Sequence, residues 1–162
     1  MKSVCFTGHR NVRATDSLIS LLNETLTELI ENGAVEFYAG GALGFDMLCE
    51  RAVLELREKF PHIRLNLLLP CPPEIQTAKW NSSDKEEFYR ILDAADSKKI
   101  LSDTYFDGCM KRRNHALVML SDVCVCYCTR SGSGTGQTVR MAQKYNMTVI
   151  NIANIANIAD KF

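Results

Sequence analysis

Six short apolar runs recur along the chain and have the length and residue types of buried β-strands. Glycine, proline or polar residues follow most of them, as is typical where a strand ends in a turn. In chain order the predicted strands are VCF at 4–6, VEFYAGG at 35–41, IRLNLLLPCP at 63–72, KKILS at 98–102, DVCVCYC at 122–128 and MTVINI at 147–152.

The segments between these runs repeat apolar residues at the helical period of 3.6. In the first predicted helix, Thr15 or Asp16 can cap the start, and Gly33 suits the left-handed residue past the end. Its apolar face is formed by Leu18, Leu22, Leu26, Leu29 and Ile30. The apolar face of the second is formed by Phe45, Leu48, Cys49, Ala52, Val53 and Leu56.

Three further helices are predicted over 82–95, 107–121 and 135–146. Residues 71–83 are polar and contain prolines, so an irregular loop is predicted there. Trp80 within it either covers the sheet edge or stacks on a base. The triplet repeat NIANIANIAD fits neither a helix nor a strand period and is left unassigned.

The alternation of strands and helices predicts parallel strands joined by right-handed crossovers. The expected fold class is α/β, a doubly wound, Rossmann-like, mainly parallel sheet of about six strands with helices on both faces. The chain has 162 residues and no recognisable linker. We therefore expect a single domain over 1–162, with 151–162 as a tail.

The composition limits which binding partners and which cellular compartment are expected. Lys plus Arg and Asp plus Glu each number 19, so neither a nucleic acid nor an anionic membrane is expected as a partner. The N-terminus does not resemble a signal peptide, and no apolar run is long enough to cross a bilayer. With seven cysteines expected to be reduced, a soluble cytoplasmic protein is indicated. Cys124, Cys126 and Cys128 share one strand face and are interpreted as core residues, and no metal site is expected.

Ligands of an open parallel sheet bind beyond the carboxyl ends of its strands, so the loops that follow the strands are the candidate sites. The turn GGALGFD joins the second strand to a helix, where glycines let the backbone approach a phosphate. An ordinary strand-to-helix turn remains the alternative. Asp46 can cap the helix or bind ribose hydroxyls. The candidate ligand-binding residues here are Gly40, Gly41, Ala42, Gly44 and Asp46.

A second glycine-rich turn, SGSGTGQT at 131–138, follows the fifth strand. It is neither a Walker loop nor a G-x-G-x-x-G fingerprint, but its hydroxyls and amides suit an anion. The candidate ligand-binding residues in this turn are Ser131, Gly132, Ser133, Gly134 and Thr135.

Arg113 is the most informative single residue. It falls on the apolar stripe predicted for its helix, which is formed by Phe106, Met110, Leu117 and Leu120. A charge on a core-facing stripe is costly unless it is paired. Arg113 therefore either pairs with a structural carboxylate or clamps a ligand phosphate or carboxylate, with Asn114 as an added polar contact.

The loop after the first strand supplies Gly8, His9 and Arg10. His9 is a candidate general acid or base, and a structural hydrogen-bonding role is the alternative. Asp46 and Asp107 are the other candidate catalytic residues, with Asp103 nearby in sequence.

Taken together, CFTGHR, GGALGFD and the stretch from MKRRN through SDVCVCY to SGSGT resemble the SLOG superfamily, and more narrowly its YpsA-like proteins of unknown function. The resemblance covers nearly the whole chain and implies a Rossmann-like fold. Within the superfamily, GGALGFD is similar to the glycine motif of the DNA-processing protein DprA. Zero net charge and the lack of a basic stripe argue against a DNA role here.

A more distant likeness links the chain to the Lonely Guy phosphoribohydrolases. Their signature is similar at Met110, Arg113, Ser121, Asp122, Gly132, Gly134 and Thr135. Asn114 stands where that family has Lys, Arg130 where it has Pro and Ser131 where it has Gly. Thr138 stands where the catalytic Glu would be, and a hydroxyl cannot stabilise a developing oxocarbenium ion as a carboxylate does.

These observations predict a crevice that binds a nucleotide or an ADP-ribose-like phosphorylated ligand, as a sensor or signalling module. The alternative is an N-glycosidic (phosphoribo)hydrolase acting on nucleoside monophosphates, and a DprA-like DNA-associated role ranks third. No cofactor beyond such a ligand is assigned. The expected partner is a small phosphorylated molecule. If the protein forms a homo-oligomer, a homodimer is the expected form.

Overall fold

A computed structural model of the chain describes residues 2–159, with side chains described through residue 155. The elements follow the predicted alternation closely. In chain order they are β1 (Lys2–Gly8), α1 (Asp16–Glu31), β2 (Ala34–Ala39), α2 (Phe45–Lys59), β3 (Arg64–Leu69), α3 (Pro73–Gln76), α4 (Ser82–Ala94), β4 (Ser97–Ile100), α5 (Cys109–Met119), β5 (Val123–Tyr127), α6 (Gly134–Lys144), β6 (Thr148–Asn151) and α7 (Ile152–Ala159).

The six strands form one sheet in the order β4-β3-β2-β1-β5-β6, and all neighbours are parallel. The chain builds outward from β1 to β4, then crosses back through α5 to place β5 against the other side of β1. This reversal confirms the predicted doubly wound, Rossmann-like α/β fold. The reversal lies between β1 and β5, and in open parallel sheets a crevice forms at the carboxyl ends of such a strand pair.

Alternate residues of the central strands pack into separate cores on the two faces of the sheet. On β1, Val4 and Phe6 join one core while Cys5 joins the other. Cys124 and Cys126 also lie in the second core, as predicted from their alternation. The first core contains side chains of α1, α2, α4 and α7, and the second contains side chains of α5 and α6.

One sequence-based expectation was wrong outside the main elements. Residues 71–83 are not wholly irregular, because Pro73–Gln76 forms one helical turn with Pro73 at a position where its fixed φ favours helix. In the tail, which the sequence left unassigned, α7 continues directly from β6, with Ile152 in the first core and Ala153 also buried. Residues 160–162 of the predicted tail lie outside the described residues.

The predicted apolar stripe of α5 was also wrong at three of its four residues, and only Leu117 is buried as expected. Phe106 precedes the helix, and Phe106, Met110 and Leu120 are all exposed. The buried stripe advances by four residues, through Cys109, Arg113 and Leu117. Arg113 is therefore buried on the sheet-facing side, but Met110 lies beside that stripe, where it lines a cavity.

Candidate functional site

The loops after β1, β2 and β5 meet the first turns of α5 where the central strands end, and together they line a cavity of about 350 Å³. Ten of the predicted ligand-binding residues line it: Gly8, His9, Arg10, Ala42, Asp46, Arg113, Asn114, Ser133, Gly134 and Thr135. Five others, Gly40, Gly41, Gly44, Ser131 and Gly132, are outside the lining and shape the loops behind it.

The loops after β1 and β2 interlock through glycines. A Cβ on Gly8 would overlap Phe45, and a Cβ on Gly44 would overlap the Arg10 carbonyl oxygen. Gly44 also has a φ of 84°, which disfavours other residues. The Phe45 N–H donates to the His9 carbonyl at 3.2 Å, so the start of α2 is fixed against the loop after β1.

His9 joins the loops after β1 and β5. Its ring is buried, and Nε2 accepts a hydrogen bond from the Thr129 N–H at 2.8 Å. An accepting Nε2 requires that the neutral ring carries its proton on Nδ1. Burial and then Arg130 lower the pKa of His9 below its usual value, which favours this neutral form.

The amides of the GGALGFD turn are occupied by buried carboxylates. Asp46 Oδ2 accepts from the N–H groups of Gly40 and Ala42, each at 3.3 Å. Glu50 Oε1, one helical turn further along α2, accepts from the Gly41 N–H at 3.0 Å. These three amides are already bonded to side chains, so they are not free donors for a phosphate.

Arg113 passes over this turn into the cavity wall. Its side chain is 5% exposed, and it donates from Nη1 to the Gly40 carbonyl and from Nε to Asn114 Oδ1 at 2.8 Å. A Cβ on Gly40 would overlap the guanidinium, so glycine is needed for this approach. Among the described residues no carboxylate lies within salt-bridge distance of Arg113.

Asp46 and Glu50 nevertheless interact electrostatically with Arg113, because charges in the protein interior are poorly screened. Burial raises the pKa of Asp46, and Arg113 and the two amides offset part of that effect. Burial and then Asp46 raise the pKa of Glu50 well above its usual value, with smaller opposing effects from Gly41 and Arg113. Proton binding at this carboxyl pair is therefore favoured.

The opposite wall is the N-terminus of α6. Ser133 caps the helix, because its Oγ accepts from the Gly136 N–H at 3.0 Å and donates to the Arg130 carbonyl at 2.7 Å. Gly134 and Thr135 are the first two helical residues and line the cavity. Amides at these positions have no acceptor within their own helix, so they suit an anion.

A second cavity of about 260 Å³ adjoins the first and shares Met110, Asn114 and Gly134 with it. Its remaining lining residues are Tyr105, Asp107, Gly108, Lys111, Gln137, Thr138 and Met141. Thr138 donates from Oγ1 to the Gly134 carbonyl at 3.1 Å, so its hydroxyl is engaged in the helix. Asp107 lines this second cavity, whereas Asp103 lies on the same loop outside both cavity linings, and both residues are exposed.

Trp80 lies elsewhere. Its ring packs edge-on against Phe88, with 5.4 Å between centroids, and it belongs to neither cavity lining. Trp80 thus packs against the first core, in line with a covering role and not with base stacking in the crevice.

A model of the YpsA family, described as the YspA SLOG family, matches residues 5–156 of this chain. The chain belongs to the YpsA SLOG family. UPF0398 protein BH1768 of Halalkalibacterium halodurans is 26% identical over 75% of this YpsA-family chain and 69% of its own length. The SPbeta prophage-derived protein YoqJ of Bacillus subtilis is 27% identical over 82% of both chains. A UPF0398 protein of Staphylococcus haemolyticus is 25% identical, and only 62% of its length is spanned.

Two solved structures share the fold of this YpsA-family chain. DNA processing protein A from Helicobacter pylori, described for its single-stranded DNA binding mode, aligns with a TM-score of 0.63 at 23% identity. That alignment covers 99% of this chain and 80% of the other. The molybdenum cofactor carrier protein from Chlamydomonas reinhardtii aligns with a TM-score of 0.53 at 18% identity, covering 91% and 74%. These identities establish a common fold only.

Within the part of this YpsA-family chain that the structure describes, no helix is long and apolar enough to cross a membrane.

Several residues of the site were not predicted from the sequence. Phe6, Thr7, Asn11, Met110 and Arg130 also line the first cavity, and Glu50 lies behind it. Asn11 and Arg130 directly adjoin the predicted loops, so extending each motif by one residue would have found them.

Proposed function

We propose that this protein binds a nucleotide or an ADP-ribose-like phosphorylated ligand in the paired cavities and acts as a sensor or signalling module. The observation that carries the proposal is Arg113. It is a nearly buried guanidinium in a cavity wall, with no carboxylate in salt-bridge distance among the described residues. The guanidinium bonds one carbonyl and one amide oxygen and contacts the Met110 sulfur from Nη2 at 3.9 Å, which leaves two of its five N–H donors for a ligand.

The ligand's anionic group is assigned to the space between Arg113 and the N-terminus of α6. Gly134 and Thr135 contribute first-turn amides, and Arg130 adds a second guanidinium to the same lining. This position also keeps the anion off the GGALGFD turn, whose amides are bonded to Asp46 and Glu50.

The second cavity offers room for the rest of such a ligand. Tyr105, Met110 and Met141 give it apolar and aromatic surface, while Asp107 and Gln137 can hydrogen-bond a base. Because Asn114 and Gly134 line both cavities, a ligand bound at the anion position can extend into the second.

Thermal unfolding of the protein with a library of nucleotides and nucleoside phosphates tests this function. A ligand at a hundred times its dissociation constant adds about 2.7 kcal/mol of stability. Arg113→Lys should weaken binding at least about tenfold, because an ammonium cannot make a planar two-point contact. Arg112→Lys, at the exposed neighbouring position, is the control. The proposal fails if no phosphorylated compound shifts the transition.

A hydrolase acting on nucleoside monophosphates is the second candidate, because Asp107 lines the same cavity as Thr138 and can supply a carboxylate there. Incubation with common monophosphates and chromatography of the free base decides it. Base release that Asp107→Asn abolishes and Asp103→Asn preserves would support the enzyme. If no free base is released, the hydrolase is ruled out and the nucleotide-binding sensor remains the proposed function.

Two observations favour a DNA-associated role. Arg10 and Arg130 are exposed at the cavity mouth, and DNA processing protein A from Helicobacter pylori, which shares the fold, is described for its single-stranded DNA binding mode. Fluorescence anisotropy with a labelled single-stranded oligonucleotide at low and high salt tests it, since phosphate contacts are strongly salt-dependent. Salt-sensitive binding lost in the Arg130→Gln variant would favour DNA over a free nucleotide.

A further inference from the structure

Two buried carboxyl groups lie behind the proposed anion position. Asp46 and Glu50 are 5% and 1% exposed and stand on consecutive turns of α2, so they share one helix face. Buried acids on a core-facing helix surface are uncommon, because transfer of a charge from water is costly. Helix capping explains neither acid, because Asp46 accepts from N–H groups of the turn that precedes α2 and Glu50 lies beyond the first helical turn.

The two acids and Arg113 hold the glycine turn from opposite sides. Glu50 accepts from the Gly41 N–H, while Asp46 accepts from the N–H groups on either side of it. Arg113 donates to the Gly40 carbonyl and stacks where a Cβ would otherwise lie. The position of the guanidinium therefore depends on the turn, and the turn depends on the acids.

The charges in this cluster do not balance when both acids are ionised. Arg113 supplies one positive charge against two carboxylates, and Arg51 of α2 acts only weakly on Glu50. The thiols that also face the cluster include Cys49 and Cys71, and burial raises the pKa of both, so they stay neutral. One proton on the carboxyl pair brings the cluster to neutrality.

We propose that Glu50 is a positioning residue of this site, which fixes the turn beneath Arg113 and, together with Asp46, takes up a proton when an anion binds beside Arg113. This inference rests on the proposed function. The anion cancels the positive field that Arg113 exerts on the two acids, so both hold a proton more tightly in the bound state.

The sign of the pH dependence follows from this linkage. Proton uptake on binding means that affinity falls as pH rises, by ~tenfold per pH unit where one full proton is taken up. The relevant range lies above the ordinary carboxyl values, because the structure raises the pKa of both acids. His9 also lines the cavity, but burial and then Arg130 lower its pKa from the usual imidazole value, which favours the neutral ring across the range in which the carboxyl pair is tested.

Equilibrium dialysis with radiolabelled sulfate between about pH 7 and about pH 9 tests the inference, because sulfate does not titrate there. Glu50→Gln keeps an oxygen for the Gly41 N–H but cannot bind a proton. Glu58→Gln removes the same charge from an exposed position of α2 and is the matched control. A second measurement, proton uptake in unbuffered solution on mixing the unmodified protein with sulfate, does not depend on any variant.

The expected result is an unmodified protein whose sulfate affinity weakens with pH and whose binding takes up a proton. Glu50→Gln should show a flatter profile and bind more tightly than the unmodified protein near pH 9, while Glu58→Gln should match it. A Glu50→Gln profile as steep as that of the unmodified protein, or sulfate binding without proton uptake, overturns this inference alone. If sulfate is not retained at any pH, the anion position itself is wrong and both proposals fall.

Discussion

Replacement of Arg113 by methionine separates a structural role of the guanidinium from a ligand-binding one. Methionine keeps much of the stem volume but removes the donors to the Gly40 carbonyl and to Asn114. The Gly40 carbonyl keeps the Gln76 side-chain amide, at 3.4 Å, as a second donor, so it is not left without a partner. The loss is then that of two hydrogen bonds at about 0.5–1.5 kcal/mol each, and we expect Arg113→Met to lose about 1–3 kcal/mol of unfolding free energy.

The full cost of a broken buried ion pair, about 3–5 kcal/mol, is not expected on top of this. No carboxylate among the described residues is within salt-bridge distance of Arg113, and the nearby Asp46 and Glu50 can take up protons. Their folded pKa values are raised, so their contribution to stability is lost as pH rises through those values. Removing the cation raises these pKa values further, and the destabilisation should grow with pH.

Urea unfolding of the unmodified protein, Arg113→Met and Arg113→Lys at two pH values, about 6 and about 8, measures both effects. Arg112→Met, at an exposed site on the same helix, is the control for a lost surface charge. The ligand-binding role predicts that Arg113→Lys stays folded but binds nucleotide poorly. An Arg113→Met protein as stable as the unmodified one, with equal nucleotide affinity, would refute this account of the residue.

Three other changes give separable outcomes. Gly40→Ala should displace the flexible Arg113 guanidinium, so nucleotide affinity should fall more than stability, as calorimetry and urea unfolding would show. The lowered pKa of His9 means that the stability it contributes is lost as pH falls below 6.5, so His9→Gln should flatten the acid limb of thermal unfolding while exposed His62→Gln does not. Ser133→Ala should lower the free energy of unfolding by about 0.5–2 kcal/mol and weaken anion binding, whereas Thr15→Ala, at the N-cap of α1, should lower only the stability.

The fold was predictable because its signals are local and repeated. Leu18, Leu22, Leu26 and Ile30 form the buried face of α1 as the helical period predicts, with Thr15 as the cap. The site loops were predictable for a topological reason, since parallel strands bring their carboxyl ends to one edge. Neither the helical period nor the strand topology depends on which side chains contact one another in the folded protein.

The features that were not predicted from the sequence depend on contacts between side chains that are distant along the chain. The stripe of α5 was placed through Met110 instead of Cys109, because helix spacings of three and four residues are hard to distinguish when several apolar residues are present. Glu50 was missed although it carries the same signal that singled out Arg113, a charge on an apolar helix face. Its bond to Gly41 joins residues nine positions apart, and no local pattern predicts that pairing.

The acids behind the glycine turn change what that turn can do. A glycine-rich turn before a helix offers an anion its backbone amides only when those amides are free. Here Asp46 and Glu50 occupy the amides of Gly40, Gly41 and Ala42, which leaves the turn as a support for Arg113. Anion recognition must then depend on side-chain charge and on the N-terminus of α6, so affinity should respond to changes in Arg113 far more than to changes that leave the guanidinium in place.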